Sequence, residues 1–260
     1  FKFKMNLEQR IEAFAKLGDF FSQFTTAGII KKDDSEFNTL FYDAFKMQQK
    51  RAQEFNGWFT ENNVLKAFES WSKALTVENL KIWTSNYCFE ENKPPKTVAI
   101  IMAGNIPLVG FQYLSPYFKN KITFTEDKLP DFDAVIATGS NNTARYFEHY
   151  FGKYPTIIGK NRNSVAILTG NESNQELEAL GEDIFQYYGL GCRSVSKIFI
   201  PKNYNFDLLF NALYKYHDII NYKKYENNYD YNKAVYIMSL FNVLENGFVM
   251  LKEDKNYASP

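Results

Sequence analysis

Two cysteines, Cys88 and Cys192, are too few for a disulfide framework in a chain of 260 residues. Only His149 and His217 stand beside them, so no metal-ligand spacing exists and no metal is expected. Charge of either sign is not in excess. Thirty Lys and Arg balance thirty Asp and Glu, which leaves no call for nucleic acid or for an anionic membrane surface. Long apolar runs are also missing: Val98 to Ala103 is far short of the ~20 residues that cross a bilayer. The N-terminus has no apolar segment of signal-peptide type, and Phe1 to Lys4 read as an addition ahead of Met5. These absences predict a soluble cytoplasmic protein with no membrane span, whose partners are small molecules or other proteins.

What is plentiful is core-forming material. With 45% hydrophobic and 18% aromatic residues, the chain can bury a large interior in one or two domains. Leu7, Ile11, Phe14, Leu17, Phe20, Phe21 and Phe24 recur every three or four positions and predict a helix from Asn6 to Phe24. Leu40 to Met47 and Val64 to Leu75 predict two more, and Thr76 caps a short one running past Leu80 and Trp83. Residues 1–92 thus read as all-helical, with the aromatic stripes as core.

The helical period stops at Lys93-Pro94-Pro95-Lys96. Thr97 to Ala103 then reads as a strand of the kind buried in a parallel sheet, running into Gly104-Asn105-Ile106-Pro107. Asp133 to Ala137 is a second strand, followed by Thr138-Gly139-Ser140-Asn141-Asn142 and a helix through Ala144, Phe147 and Tyr150. Such a turn can hold an anion or nucleotide on the free N–H groups of the helix start, with Gly139 permitting close approach. Alternatively Ser140 or Asn141 merely caps the helix. The GxGxxG dinucleotide fingerprint is absent.

Ser164 to Leu168 is a third strand, and Ser173-Asn174-Gln175-Glu176 is a capping box opening a helix that runs to Gly189. Gly189 and Gly191 flank Leu190 just before Cys192, and Val195 to Ile200 read as a buried strand stopped by Pro201. Cys192 is either a small buried hydrophobe or, beside Arg193 and near Lys197, a thiolate nucleophile. Helices are predicted over Phe206 to Tyr216 and Tyr229 to Leu244; the tyrosine and asparagine cluster from Tyr222 to Tyr231 has no role that spacing explains.

Three segments together, Ala103-Gly104-Asn105-Ile106-Pro107, Ala137 to Arg145 and Gly189-Leu190-Gly191-Cys192-Arg193-Ser194, resemble the acyl-CoA reductases of the fatty acid reductase type, within the aldehyde dehydrogenase superfamily. The resemblance runs from about Met5 to Pro260. It implies a two-lobed α/β fold: an N-terminal helical region (1–92), a parallel-sheet nucleotide-binding lobe (93–160) and a catalytic lobe (161–260) that the family continues beyond Pro260. It implies Cys192 as the nucleophile toward a fatty acyl-CoA, with the Asn105 side chain and the Cys192 N–H stabilising the oxyanion. Gly139, Ser140 and Asn141 would bind NADPH, or alternatively NADH. Self-association, or an acyl-protein synthetase or transferase partner, is implied as well.

The chain departs from that pattern between Gly110 and Phe118, where only Gln112 to Tyr117 replace an expected helix, strand and lysine-containing turn, so chain is expected to be missing there. Ile157 to Ser164 contains no carboxylate to activate water, which points to aldehyde rather than free acid as product; the nearest acid after it is Glu172. Acyl transfer or thioester hydrolysis without a nicotinamide, and a non-catalytic interaction subunit, are the alternatives.

Overall fold

The structure is a computed structural model that describes residues 6–89, 94, 96–101, 123, 125, 128–160, 164–191 and 193–255. The chain divides into two compact units, Phe1–Lys160 and Asn161–Pro260. Helices are combined with parallel sheets, the mixture of an α/β protein. No helix among the described residues is long and apolar enough to cross a membrane.

In the first unit, α1 (Leu7–Phe21) opens on a capping box in which Asn6 and Gln9 bond reciprocally. It ends three residues earlier than its apolar period predicts, because the chain turns into a small antiparallel hairpin of β1 (Phe24–Thr25) and β2 (Gly28–Ile29). The expectation of an all-helical region is corrected by this hairpin. Gln23 secures it: its buried amide donates to Asn38 Oδ1 at 2.8 Å and accepts from the Lys32 N–H at 3.0 Å. Helices α2 (Glu36–Phe55), α3 (Glu61–Ala74) and α4 (Val77–Thr84) follow, capped by the side chains of Ser35, Thr60 and Thr76.

Leu17, Phe20, Phe24, Tyr42 and Leu65 form the buried core of these helices, with Phe45 and Phe68 packed against it. Leu40, Met47 and Trp71, expected in the same stripes, are exposed. At the contact of α1 with α3 the backbones come very close: a Cβ on Gly18 would lie 2.5 Å from the carbonyl oxygen of Leu75. Gly→Ala in a helix ordinarily stabilises by about 1 kcal/mol. Here Gly18→Ala is expected to destabilise by about 1–3 kcal/mol, since the overlap is with backbone that cannot swing away. Urea unfolding checks the sign, and a more stable variant would overturn this expectation.

The described residues of this unit also form three parallel strands, β3 (Val98–Ile101), β4 (Ala134–Thr138) and β5 (Thr156–Gly159), with β4 in the centre. Helix α5 (Asn141–Phe151) returns from β4 and packs Phe147 and Phe151 against a face made by Ala99, Val135 and Ala137. The expectation that β3 is buried on both sides is corrected, because Val98 and Ile100 point to the opposite, exposed face. β5 is unforeseen by the sequence reading.

The second unit is built on a parallel pair, β6 (Ser164–Ile167) and β7 (Val195–Phe199), joined through α6 (Asn174–Phe185). Its capping box between Ser173 and Glu176 is present as read from the sequence. α6 stops at Phe185, not Gly189, and a 3-10 turn fills Gln186–Gly189. β7 is only half-buried, with Phe199 and Ile200 exposed.

α7 (Phe206–Leu213) leads through a 3-10 segment (Tyr214–Asn221) into α8 (Lys223–Met238). The helix expected from Tyr229 to Leu244 therefore begins earlier and ends earlier. Val243–Glu245 is instead β8, paired antiparallel with β9 (Met250–Lys252). Leu168, Leu177, Leu180, Phe185, Leu209, Ala212, Leu213 and Phe248 make the core.

Candidate functional site

Gly139, Ser140 and Asn141 are brought together in the turn between β4 and α5, at the carboxyl end of the central strand. Ser140 is the N-cap: its hydroxyl accepts from the Thr143 N–H at 3.1 Å and lies 2.9 Å from Thr143 Oγ1. The Gly139 N–H donates to the Gly159 carbonyl at 3.1 Å, which continues the β4–β5 ladder into the turn. A Cβ on Gly139 would fall 3.0 Å from Thr143 Cβ and 3.3 Å from Phe147 Cε2. The missing side chain thus first serves the packing of α5 onto its own strand. The first turn of α5 carries no acidic residue, so no carboxylate competes for the positive end of the helix.

Asn105 and Cys192 lie outside the described residues, as do Gln112 to Tyr117, where a break in the chain is expected. On either side of Cys192 the chain is described. Tyr187 and Tyr188 have φ of 52° and 60°, left-handed values that cost a tyrosine about 1–2 kcal/mol each. Gly189 continues the turn at φ 74°, which glycine tolerates. Ser194 is buried; its hydroxyl donates to the Gln186 carbonyl at 3.2 Å and its N–H to the Gly191 carbonyl at 2.9 Å. Burial pushes the Tyr187 phenol above its ordinary pKa.

Lys197, named in the sequence as a basic neighbour of the cysteine, gives its ammonium to the Asp254 carbonyl at 3.0 Å. Cys88 is an exposed free thiol and packs no core. Among the described residues no group of three or more His, Cys, Asp or Glu is placed to hold a metal ion.

The region where a water-activating carboxylate would stand is strand. Ile157, Ile158 and Gly159 belong to β5, and Lys160 ion-pairs with Glu148 at 2.6 Å. Glu172 is committed to its own turn, accepting from the Thr169 N–H and hydroxyl and from the Gly170 N–H. The Thr169 N–H above all holds its carboxyl below the usual range, so it is a poor base toward water.

The tyrosine cluster that spacing left unexplained has structural partners. Tyr222 stacks on Tyr188 with centroids 4.3 Å apart. Tyr225 donates its hydroxyl to the Phe248 carbonyl at 2.8 Å, and Tyr229 donates to Glu245 Oε2 at 2.6 Å. Tyr225 and Tyr229 stand four apart on one face of α8, the signal that could have found their role, while Tyr222 precedes the helix. Burial pushes the Tyr225 phenol up to about 12.

Lys233 also pairs with Glu245 at 2.7 Å, and that ammonium, then the Tyr229 hydroxyl, holds the Glu245 carboxyl below its ordinary value. A carboxyl lowered on folding contributes stability that is present above its unfolded pKa and is lost as pH falls through its folded one. The β8–β9 hairpin should therefore loosen from α8 only on the acid side of the ordinary carboxylate range. Glu245→Gln is expected to cost about 1 kcal/mol at neutral pH, discounted for exposure. The gap between variant and parent in denaturant unfolding should close as pH is lowered; a gap independent of pH would show that the carboxylate's charge does not matter.

No protein-family model matches the chain, and no curated protein matches it.

Proposed function

We propose that this protein reduces a fatty acyl-CoA to the fatty aldehyde with NADPH through a thioester on Cys192, within an aldehyde-dehydrogenase-like two-lobed fold. The observation that carries this reading is the Gly139-Ser140-Asn141 turn, which resembles the cofactor turn of fatty acid reductases and lies at the carboxyl end of a central parallel strand. Open α/β sheets take ligands at that edge.

A phosphate-bearing cofactor fits the turn. The start of α5 offers backbone N–H groups besides that of Thr143, which the Ser140 cap takes, and has no acidic residue in its first turn. Gly139, Ser140 and Asn141 are the residues that would hold it. When bound, the nicotinamide supplies the hydride that brings the acyl carbon to the aldehyde level.

The chain's own residues do the rest. The Cys192 thiolate attacks the acyl carbonyl; a new C–S bond forms, the bond to CoA breaks, and the departing thiolate takes a proton. Asn105 and the Cys192 N–H donate to the oxyanion, and loss of one such donor costs about 3–4 kcal/mol. After two-electron reduction and protonation, the C–S bond of the hemithioacetal breaks, releasing aldehyde and restoring the cysteine. Glu172 is occupied by its own turn and the stretch 157–164 has no carboxylate, which favours this path over hydrolysis.

Incubation with a long-chain acyl-CoA and NADPH tests the proposal: loss of NADPH with formation of aldehyde supports it. Release of CoA without loss of NADPH would assign acyl transfer or thioester hydrolysis, and no reaction would leave a non-catalytic subunit. In the reverse direction, fatty aldehyde with NADP should give acyl-CoA only when CoA is added. Rapid free fatty acid without CoA would overturn the assignment.

A further inference from the structure

α8 ends in a way that its sequence does not favour. The Leu240 N–H donates to the Ile237 carbonyl and the Phe241 N–H to the Tyr236 carbonyl, both at 3.0 Å, the paired bonds of a Schellman motif. That motif needs a left-handed residue, ordinarily glycine, and here Leu240 supplies it at φ 58° with its side chain 90% exposed. The leucine gains little from packing at that exposure, so its backbone strain is held by what the motif sets in place. Phe241 is turned against Tyr236, with the ring planes at 88° and the centroids 5.9 Å apart.

The ammonium of Lys252, on β9, sits over both rings, 4.5 Å from the Phe241 centroid and 4.9 Å from that of Tyr236. The Asp254 carboxylate meets it at 2.8 Å, and the Asp254 carbonyl is itself bonded by Lys197 of β7. That carboxylate raises the Lys252 ammonium above its ordinary pKa, so the group between the rings is a cation. Two aromatic faces around one positive nitrogen is the arrangement by which proteins take ammonium ligands.

We propose that Tyr236, Phe241 and Asp254 form a binding site for alkylammonium ions, filled in this state by Lys252 of the same chain. Nothing in it depends on the proposed reduction. Lys252 is a guest tethered in cis that fastens β9 to the end of α8, and a free amine of the same shape takes its place when that side chain is removed.

Thermal unfolding of the full chain tests the site. Lys252→Ala should lower the melting temperature by about 4–8 °C, the size expected from two ring contacts with a cation in a unit of this length. n-Propylammonium chloride carries the atoms that this substitution deletes, and it should recover about half of the loss in a saturable way. Potassium chloride at equal concentration should not. The parent chain and the double variant Lys252→Ala/Phe241→Leu should respond alike to the two salts. No difference between the salts in Lys252→Ala overturns the site, and so does an equal recovery in the double variant. If Lys252→Ala does not fold, Lys252→Met keeps the apolar stem without the charge: a smaller loss in a Phe241→Leu background than in the parent supports the site, and an equal loss overturns it.

Discussion

Cys192→Ala is expected to abolish both acylation by acyl-CoA and turnover with NADPH, whereas Cys88→Ala should leave both intact. No other nucleophile is available to take over in the segment Gly189 to Ser194 except Ser194, whose hydroxyl is buried and already donates to the Gln186 carbonyl. A hydroxyl is in any case a far weaker nucleophile at neutral pH than a thiol. Cys88 is exposed and follows α4 in the other compact unit, so it will react with general alkylating reagents without serving acyl transfer. Intact mass after exposure to acyl-CoA distinguishes the two thiols. An adduct that survives in Cys192→Ala but is lost in Cys88→Ala would reverse the assignment.

Phe24→Ala should lower the stability of the first unit by about 3–5 kcal/mol, enough to consume much of the 5–15 kcal/mol by which a domain of this kind is stable. Phe24 is 0% exposed, and its ring lies 4.9 Å from that of Phe45, 5.2 Å from Tyr42 and 5.5 Å from Phe20. It stands on β1, just past the end of α1, so it draws the hairpin, α1 and α2 onto one point. The cavity left by removing it cannot collapse without moving all three. Guanidinium unfolding followed by circular dichroism checks this, and a loss below about 1 kcal/mol would mean that the aromatic cluster is loosely packed.

The helices were legible because their signals are local. Thr76 and Ser173 sit where caps were read, and the apolar period of Leu7 to Phe21 holds as far as the chain stays helical. Short pieces were not. The β1–β2 hairpin has two residues per strand, too few for a period to declare itself, and β5 carries only Ile157 and Ile158 as apolar residues where β3 is apolar throughout. β8 was read as a continuation of a helix although Asn246-Gly247 follows it, a dipeptide that favours a tight turn, and Gly247 takes φ 92°.

The same division runs through the candidate site. The Gly139 turn was readable, since a strand, a glycine and a capping serine are neighbours in sequence. The left-handed tyrosines were not, since nothing in a Tyr-Tyr pair marks positive φ and the ring that faces Tyr188 comes from another element.

That separation along the chain also orders events during synthesis. Tyr188 leaves the ribosome well before Tyr222, so α6 can form while the turn beyond it is still free to take ordinary backbone angles. The left-handed path becomes favourable only once α7 and the start of α8 have been made and folded back. A nascent chain stalled short of Tyr222 would therefore carry Tyr187 and Tyr188 on a relaxed backbone, and their left-handed turn would be set among the last features of its unit.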